Sequence, residues 1–224
     1  MKTVEGYMKK QVFLLTLITI IISMFFQMCY AKEYKFPDIY WTEKDKWGRD
    51  IIVEHFAVRE ITQATNIKVI DGYPDGTFRP NNTISREEFI KMLMVLATNR
   101  TFDFASVDTK YESWAGPYVT IAEMQGVIPT GTYTDESLKL PITRLEMVMM
   151  LSKTQIKMKG IPQNQIGSLV YTDISNLTDE EKDMILHAAK YDLLEGMKDG
   201  TSKQFKPRAN LTRGEAAAAL MRIY

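Results

Sequence analysis

Three times in this chain a hydroxyl residue is followed by an arginine and, three positions after the hydroxyl, by a glutamate. The copies are Ser85-Arg86-Glu87-Glu88, Thr143-Arg144-Leu145-Glu146 and Thr212-Arg213-Gly214-Glu215. Each opens an apolar run at helical spacing, and a hydroxyl N-cap with Glu three residues on is a capping box, so all three mark helix starts. The arginine does not fit this logic. At the first helical position the exposed N–H groups and the macrodipole disfavour a cation. Its threefold recurrence means that it answers to something else, either a bound anion or a fixed carboxylate. An ion pair with an acidic residue of a neighbouring repeat would satisfy it equally well.

The arginines lie 58 and 69 residues apart, and the chain around them reads as three imperfect copies of one unit. Each unit has an early aspartate (Asp38, Asp108, Asp173), an amphipathic stretch, a Gly-containing turn and the capped helix. In unit one the spacing predicts a first helix from Asp50 to about Thr65, with Ile51, Ile52, His55, Phe56 and Val58 near one face. Asp71-Gly72-Tyr73-Pro74-Asp75-Gly76 follows, in which Pro-Asp-Gly is turn chemistry. Unit two has Trp114 six residues after Asp108 and a degenerate turn from Gly131 to Pro141. Residues 152–170 read as a polar connector. Unit three repeats the turn through Asp199-Gly200-Thr201 and Phe205-Lys206-Pro207. A unit this small cannot bury its apolar faces alone, so the three should share a core.

Composition is that of an ordinary globular protein, 45% hydrophobic and 25% charged. The formal net charge of zero argues against a nucleic-acid partner, because no basic excess is present to neutralise phosphates. Lys9 and Lys10 precede an apolar stretch from Val12 to Phe26, then Cys29-Tyr30-Ala31, the pattern of a secretory signal peptide over residues 1–31. A retained membrane anchor is the rival, and a lipid-modified Cys29 a weaker one, because bulky Phe26, Gln27 and Met28 precede it. Loss of residues 1–31 would remove the single cysteine and leave 25 basic and 27 acidic side chains.

Phe36-Pro37-Asp38, Trp47, the run from Gly72 to Pro80 and Ile84-Ser85-Arg86-Glu87-Glu88-Phe89 together resemble S-layer homology domains. The resemblance covers roughly residues 34–224, and implies modules at 34–97, 102–152 and 171–224 with a connector at 153–170. It implies an all-α fold: three helix-loop-helix modules in a pseudo-threefold arrangement around a central three-helix bundle, behind a signal-peptide helix. It further implies non-catalytic attachment to the surface of a Gram-positive-type bacterium, through inter-module grooves that bind pyruvylated secondary cell-wall polysaccharide. The family's motif arginine corresponds to Arg86, Arg144 and Arg213, whose planar forks suit a ketal carboxylate. By the same analogy Asp38, Asp108, Asp173, Trp47, Trp114, Gly72 and Tyr73 line the grooves. No cofactor is implied. An alternative is a structural scaffold that binds another cell-surface protein, membrane-tethered if residues 12–29 are retained.

The sequence departs from the family pattern in ways that predict unequal grooves. Asp38 and Trp47 are nine residues apart against six in unit two, and unit two lacks the Gly-Tyr-Pro-Asp-Gly turn. Trp47 and Trp114 could also be core residues, and the early aspartates turn caps. A calcium loop at Asp71–Asn82 is disfavoured, since Tyr73 and Asn82 stand where ligands belong. His55 and His187 lie in helical patterns with no nucleophile motif beside them.

Overall fold

The structure, a computed structural model, describes residues 35–99, 101–161, 171–193, 197–199 and 202–224. The expected signal segment lies outside the described residues. Phe36–Tyr224 forms a unit by itself.

Each capped helix begins where the sequence places it. α2 (Arg86–Ala97), α5 (Arg144–Lys159) and α7 (Arg213–Ile223) start after Ser85, Thr143 and Thr212, each with a complete capping box to Glu88, Glu146 and Glu215. The other long helices are α1 (Val58–Asn66), α3 (Gly116–Met124) and α6 (Asp179–Lys190); α4 (Asp135–Leu138) is one turn in the middle unit. Each capped helix packs on the first helix of the next unit, and the last closes on the first: α2 on α3, α5 on α6, α7 on α1. The capped helices also touch one another pairwise.

The segments leading into those helices form a closed cycle of backbone hydrogen bonds. Ile84 N–H donates to Leu211 O (3.0 Å), Leu211 N–H to Ile142 O (3.3 Å) and Ile142 N–H to Ile84 O (3.0 Å). The three residues are buried. A neighbouring unit also serves each Arg N–H: Arg86 donates to Leu140 O, Arg144 to Ala209 O and Arg213 to Asn82 O. Helix-start N–H groups that a lone helix would leave orphaned are therefore paired between units. Gly214 belongs to this closure. A Cβ there would sit 2.5 Å from Cε1 of the His55 ring, so only glycine lets α7 approach α1 this closely.

Three expectations need correction. The fold is mainly helical but not all-α. β1 (Tyr40–Lys44) and β2 (Asp50–Glu54) pair antiparallel, Tyr40 opposite Glu54 and Lys44 opposite Asp50, and β3 (Met197–Asp199) pairs with β4 (Ser202–Gln204). The helix expected from Asp50 therefore starts only at Val58. Residues 50–54 are instead the return strand of a hairpin that turns at Asp45–Gly48, where Asp45 accepts from the N–H groups of Trp47 and Arg49. Ile51 and Ile52, read as a helix face, are exposed strand residues. Finally, the polar connector begins too early in that reading. α5 runs to Lys159, stopped by Gly160 in the left-handed region. Ser152, Thr154 and Gln155 look like linker residues but are buried: Ser152 Oγ donates to Met184 O, and Gln155 Oε1 lies 2.8 Å from His187 Nε2. Residues 162–170 lie outside the described residues.

Candidate functional site: the arginine-centred clefts

Both conceivable partners of the motif arginines are carboxylates, and for two of them a protein carboxylate is in place. Arg213 Nη1 donates to Glu88 Oε1 at 2.9 Å, while Nε and Nη2 donate to the carbonyls of Phe78 (3.0 Å) and Asp71 (3.2 Å). Arg86 Nε donates to Glu146 Oε1 at 2.8 Å and Nη1 to Ser137 O at 2.9 Å. Arg144 is buried, which lowers its pKa, and the Glu215 carboxylate is the foremost charge acting against that shift. The pattern is cyclic. In Glu88 and Glu146 one oxygen closes the helix's own capping box and the other takes an arginine from another unit. Glu146 shows the balance: burial raises its pKa, but the bonds from Arg86 and Thr143 outweigh burial and hold it below the ordinary carboxylate range.

Each guanidinium also lies against the aromatic residue of the adjoining turn: Arg86 over Tyr133 (5.5 Å), Arg144 over Phe205 (5.4 Å), and Arg213 over Phe78 (5.0 Å) and Tyr73 (4.7 Å). The early aspartates fix those turns. Asp38 accepts from the N–H groups of Phe78 and Arg79, and Asp173 from those of Phe205 and Lys206. Arg79 and Lys206 take matching positive φ values, both 57°. The two carboxylates thus hold the turn that carries the aromatic. Asp108 is exposed.

Around Arg213 the surface opens into a cleft of about 200 Å³ lined by Ile70, Asp71, Gly72, Tyr73, Glu88, Lys91, Met92 and Trp114. Four residues singled out in the sequence, Gly72, Tyr73, Trp114 and Arg213, meet here. Trp114 is 57% exposed and so is a rim residue, not core. Gly72 is needed for packing: a Cβ there would collide with the Phe36 ring. Lys91, which the sequence reading missed, supplies an ammonium 3.6 Å from Asp71 Oδ2. Its one sequence signal is a cation in the second turn of a capped helix.

Trp47 does not join the cleft. It sits in the hairpin turn, 68% exposed, with Lys46 and Arg49 against its ring. The counterpart of Trp114 in unit one is Phe56. Trp114 precedes Ala115, the N-cap of α3, and Phe56 precedes Ala57, the N-cap of α1. The residues one step earlier also correspond: Ser113 Oγ donates to Glu87, while His55 meets Gly214, each partner being the residue after a motif arginine. Unit three has Leu177 at this place, before its N-cap Thr178. The hairpin thus separates Asp38 from Phe56, which defeated alignment by spacing. Among the described residues no cluster of His, Cys, Asp and Glu could hold a metal ion, and no helix is long and apolar enough to cross a membrane.

Comparison with known proteins identifies a family and relatives of the chain. The S-layer homology domain family model matches residues 52–90 and 170–217. The chain is 30% identical over 162 residues to a cellulosome-anchoring protein of Acetivibrio thermocellus, an alignment that covers 68% of this chain and 34% of that protein. It is 27% identical over 179 residues to an amylopullulanase of Thermoanaerobacterium thermosulfurigenes, covering 79% of this chain and 9% of the relative. An exoglucanase XynX of Acetivibrio thermocellus is 27% identical over 191 residues, covering 84% and 16%. The chain belongs to the tandem S-layer homology domain family. It spans between 9% and 34% of the length of these relatives.

Proposed function

We propose that the chain is a non-catalytic cell-surface anchoring module that holds the acidic polysaccharide of a Gram-positive-type cell wall in the cleft around Arg213. The observation that carries this reading is the convergence of Gly72, Tyr73, Trp114 and Arg213, from three units, on one open cleft. An exposed indole offers a flat apolar face to a sugar ring, and the nearby cations favour an acidic substituent such as a pyruvyl ketal. The cyclic hydrogen bonds and cyclic helix packing support a pseudo-threefold arrangement of three modules around α2, α5 and α7. The anchoring and cell-surface relatives support a place at the bacterial surface.

The motif arginines enter as the frame of the clefts, with Arg86 the more accessible of the two whose ion pairs are described. Arg144 is assigned the same role in the third cleft. Retention on purified cell-wall sacculi tests the reading: loss of retention in Trp114→Ala supports it, and full retention in Trp114→Ala and in the Arg86→Ala/Arg144→Ala/Arg213→Ala variant overturns it. A membrane-tethered scaffold that binds another surface protein is the second reading, and the exposed Trp41, Trp47 and Ile52 of the β1–β2 hairpin are what favours it. N-terminal sequencing of the exported protein separates the two: a start at Lys32 gives the free module, an intact leader the tether.

A further inference from the structure

In the cleft the residue with the strongest claim on an anion is already committed. All three guanidinium nitrogens of Arg213 donate within the protein, to Phe78 O, Glu88 Oε1 and Asp71 O, and the residue is only 5% exposed. Three of its five N–H groups are used in this way, and with the residue so deeply buried a carboxylate in the cleft reaches little of the guanidinium edge that remains. Lys91 is placed differently. Its side chain is 23% exposed, it lines the same cleft, and its ion-pair partner among the described residues, Asp71, is 3.6 Å away and 74% exposed. A pair that long and that open to water contributes little, so a ligand carboxylate can displace Asp71 into solvent while the ammonium keeps its place.

We infer that Lys91 takes the acidic group of the glycan, that Arg213 is a positioning residue holding the Asp71–Tyr73 loop against α2, and that this is the one cleft among the described residues equipped to discriminate charge. The inference rests on the proposed glycan-binding function and adds to it which side chain reads the acid. It follows from register. Lys91 is the sixth residue after the N-cap Ser85; the sixth after Thr143 is Met149, and the sixth after Thr212 is Ala218. All three are half-buried, so the positions correspond in setting as well as in count. The aromatic rim varies in parallel: Trp114 faces the Lys91 cleft, whereas packing of α5 on α6 and of α7 on α1 assigns Leu177 to the Met149 position and Phe56 to the Ala218 position. The arginine–glutamate frame is repeated, but the cation and the indole occur together once. Among the described residues there is therefore one acid-reading site and not three.

The test compares binding of a methyl glycoside bearing a pyruvyl ketal with binding of its carboxamide, by calorimetry on the full chain and on Lys91→Met and Lys91→Arg. The expected result is that the wild type prefers the acid about tenfold or more, that Lys91→Met binds acid and amide alike at the amide's affinity, and that Lys91→Arg restores the preference. The acid's affinity in the wild type should fall with salt while the amide's stays level, a readout that needs no variant and so survives poor folding of Lys91→Met. Equal wild-type affinity for acid and amide, or acid preference kept in a folded Lys91→Met, overturns the inference and leaves glycan binding standing. Binding of neither compound, together with no retention on sacculi, overturns the functional reading itself.

Discussion

The surroundings of Arg213 and of Arg86 begin from the same parts and end differently. Both arginines start a capped helix, donate to the capping-box glutamate of another unit and lie against a turn aromatic. At Arg213 the rim then adds Trp114, Lys91 and the Gly72-Tyr73 turn, and a cleft results. At Arg86 the corresponding turn is replaced by α4, whose Ser137 carbonyl accepts from Nη1, and Met149 stands where Lys91 does. The repeated motif is thus a device for joining units, and under the proposed function recognition falls to residues the motif does not contain. This separates two questions that the recurrence of an arginine merges: what holds the modules together and what they hold.

The comparison can be broken most directly at the arginines. Arg213→Ala strands the Glu88 carboxylate and the Phe78 and Asp71 carbonyls. It should cost about 3 kcal/mol or more in chemical denaturation and abolish wall binding. Arg86→Ala removes a more exposed pair and should cost about 1–2 kcal/mol, with wall retention nearly unchanged. Equal binding loss in both variants would erase the distinction between the clefts.

A smaller effect is expected at the residue after the arginine. Gly214→Ala forces a methyl against the His55 ring and should destabilise by about 1–3 kcal/mol. Glu87→Ala, at the matching position in unit one, removes only the Ser113 hydrogen bond and should cost about 1 kcal/mol. Denaturation midpoints of the two variants measure the asymmetry.

Acid should act on the α5–α6 contact before it acts on the ion pairs. Burial lowers the pKa of His187, with Lys190 adding to the shift, and His187 Nδ1 has no hydrogen-bond partner among the described residues. A histidine whose folded pKa lies below its unfolded value binds its proton more readily in the unfolded chain, so stability falls as pH drops below about 6.5. Glu146, also lowered, contributes stability that is present above its unfolded value near 4.5 and is lost only as pH falls further. His187→Gln should therefore flatten the stability profile just below about pH 6.5 and leave the more acidic limb in place. An unchanged slope in the upper window would contradict the assignment.

Least of all should depend on the hairpin. Replacement of residues 41–53 by a short Gly-Ser linker, which brings Asp38 and Phe56 to a separation like that of Asp108 and Trp114, should shift the denaturation midpoint by less than about 1 kcal/mol. The apolar side chains of its strands and turn are largely exposed. Retention on sacculi measured in parallel would show whether the hairpin contributes to wall binding.

Local chemistry made the three helix starts, the order of the units and the family legible from residue types alone. A capping box is complete within four residues, so it survives any tertiary setting, and the starts at Arg86, Arg144 and Arg213 are where the sequence puts them. What the sequence could not supply depends on contacts between distant segments. Asp50–Glu54 carries helical spacing, but Tyr40–Lys44 offers it a strand partner. Ser152–Gln155 reads as linker until α6 provides buried hydrogen-bond partners. Trp47 was matched to Trp114 because spacing cannot register a hairpin inserted between Asp38 and Phe56. The partner of each arginine was likewise open, since guanidinium groups suit a sugar acid and a glutamate equally. Only the closure of the third unit onto the first brought Glu88 to Arg213, left Lys91 facing the cleft, and decided which carboxylate each cation would meet.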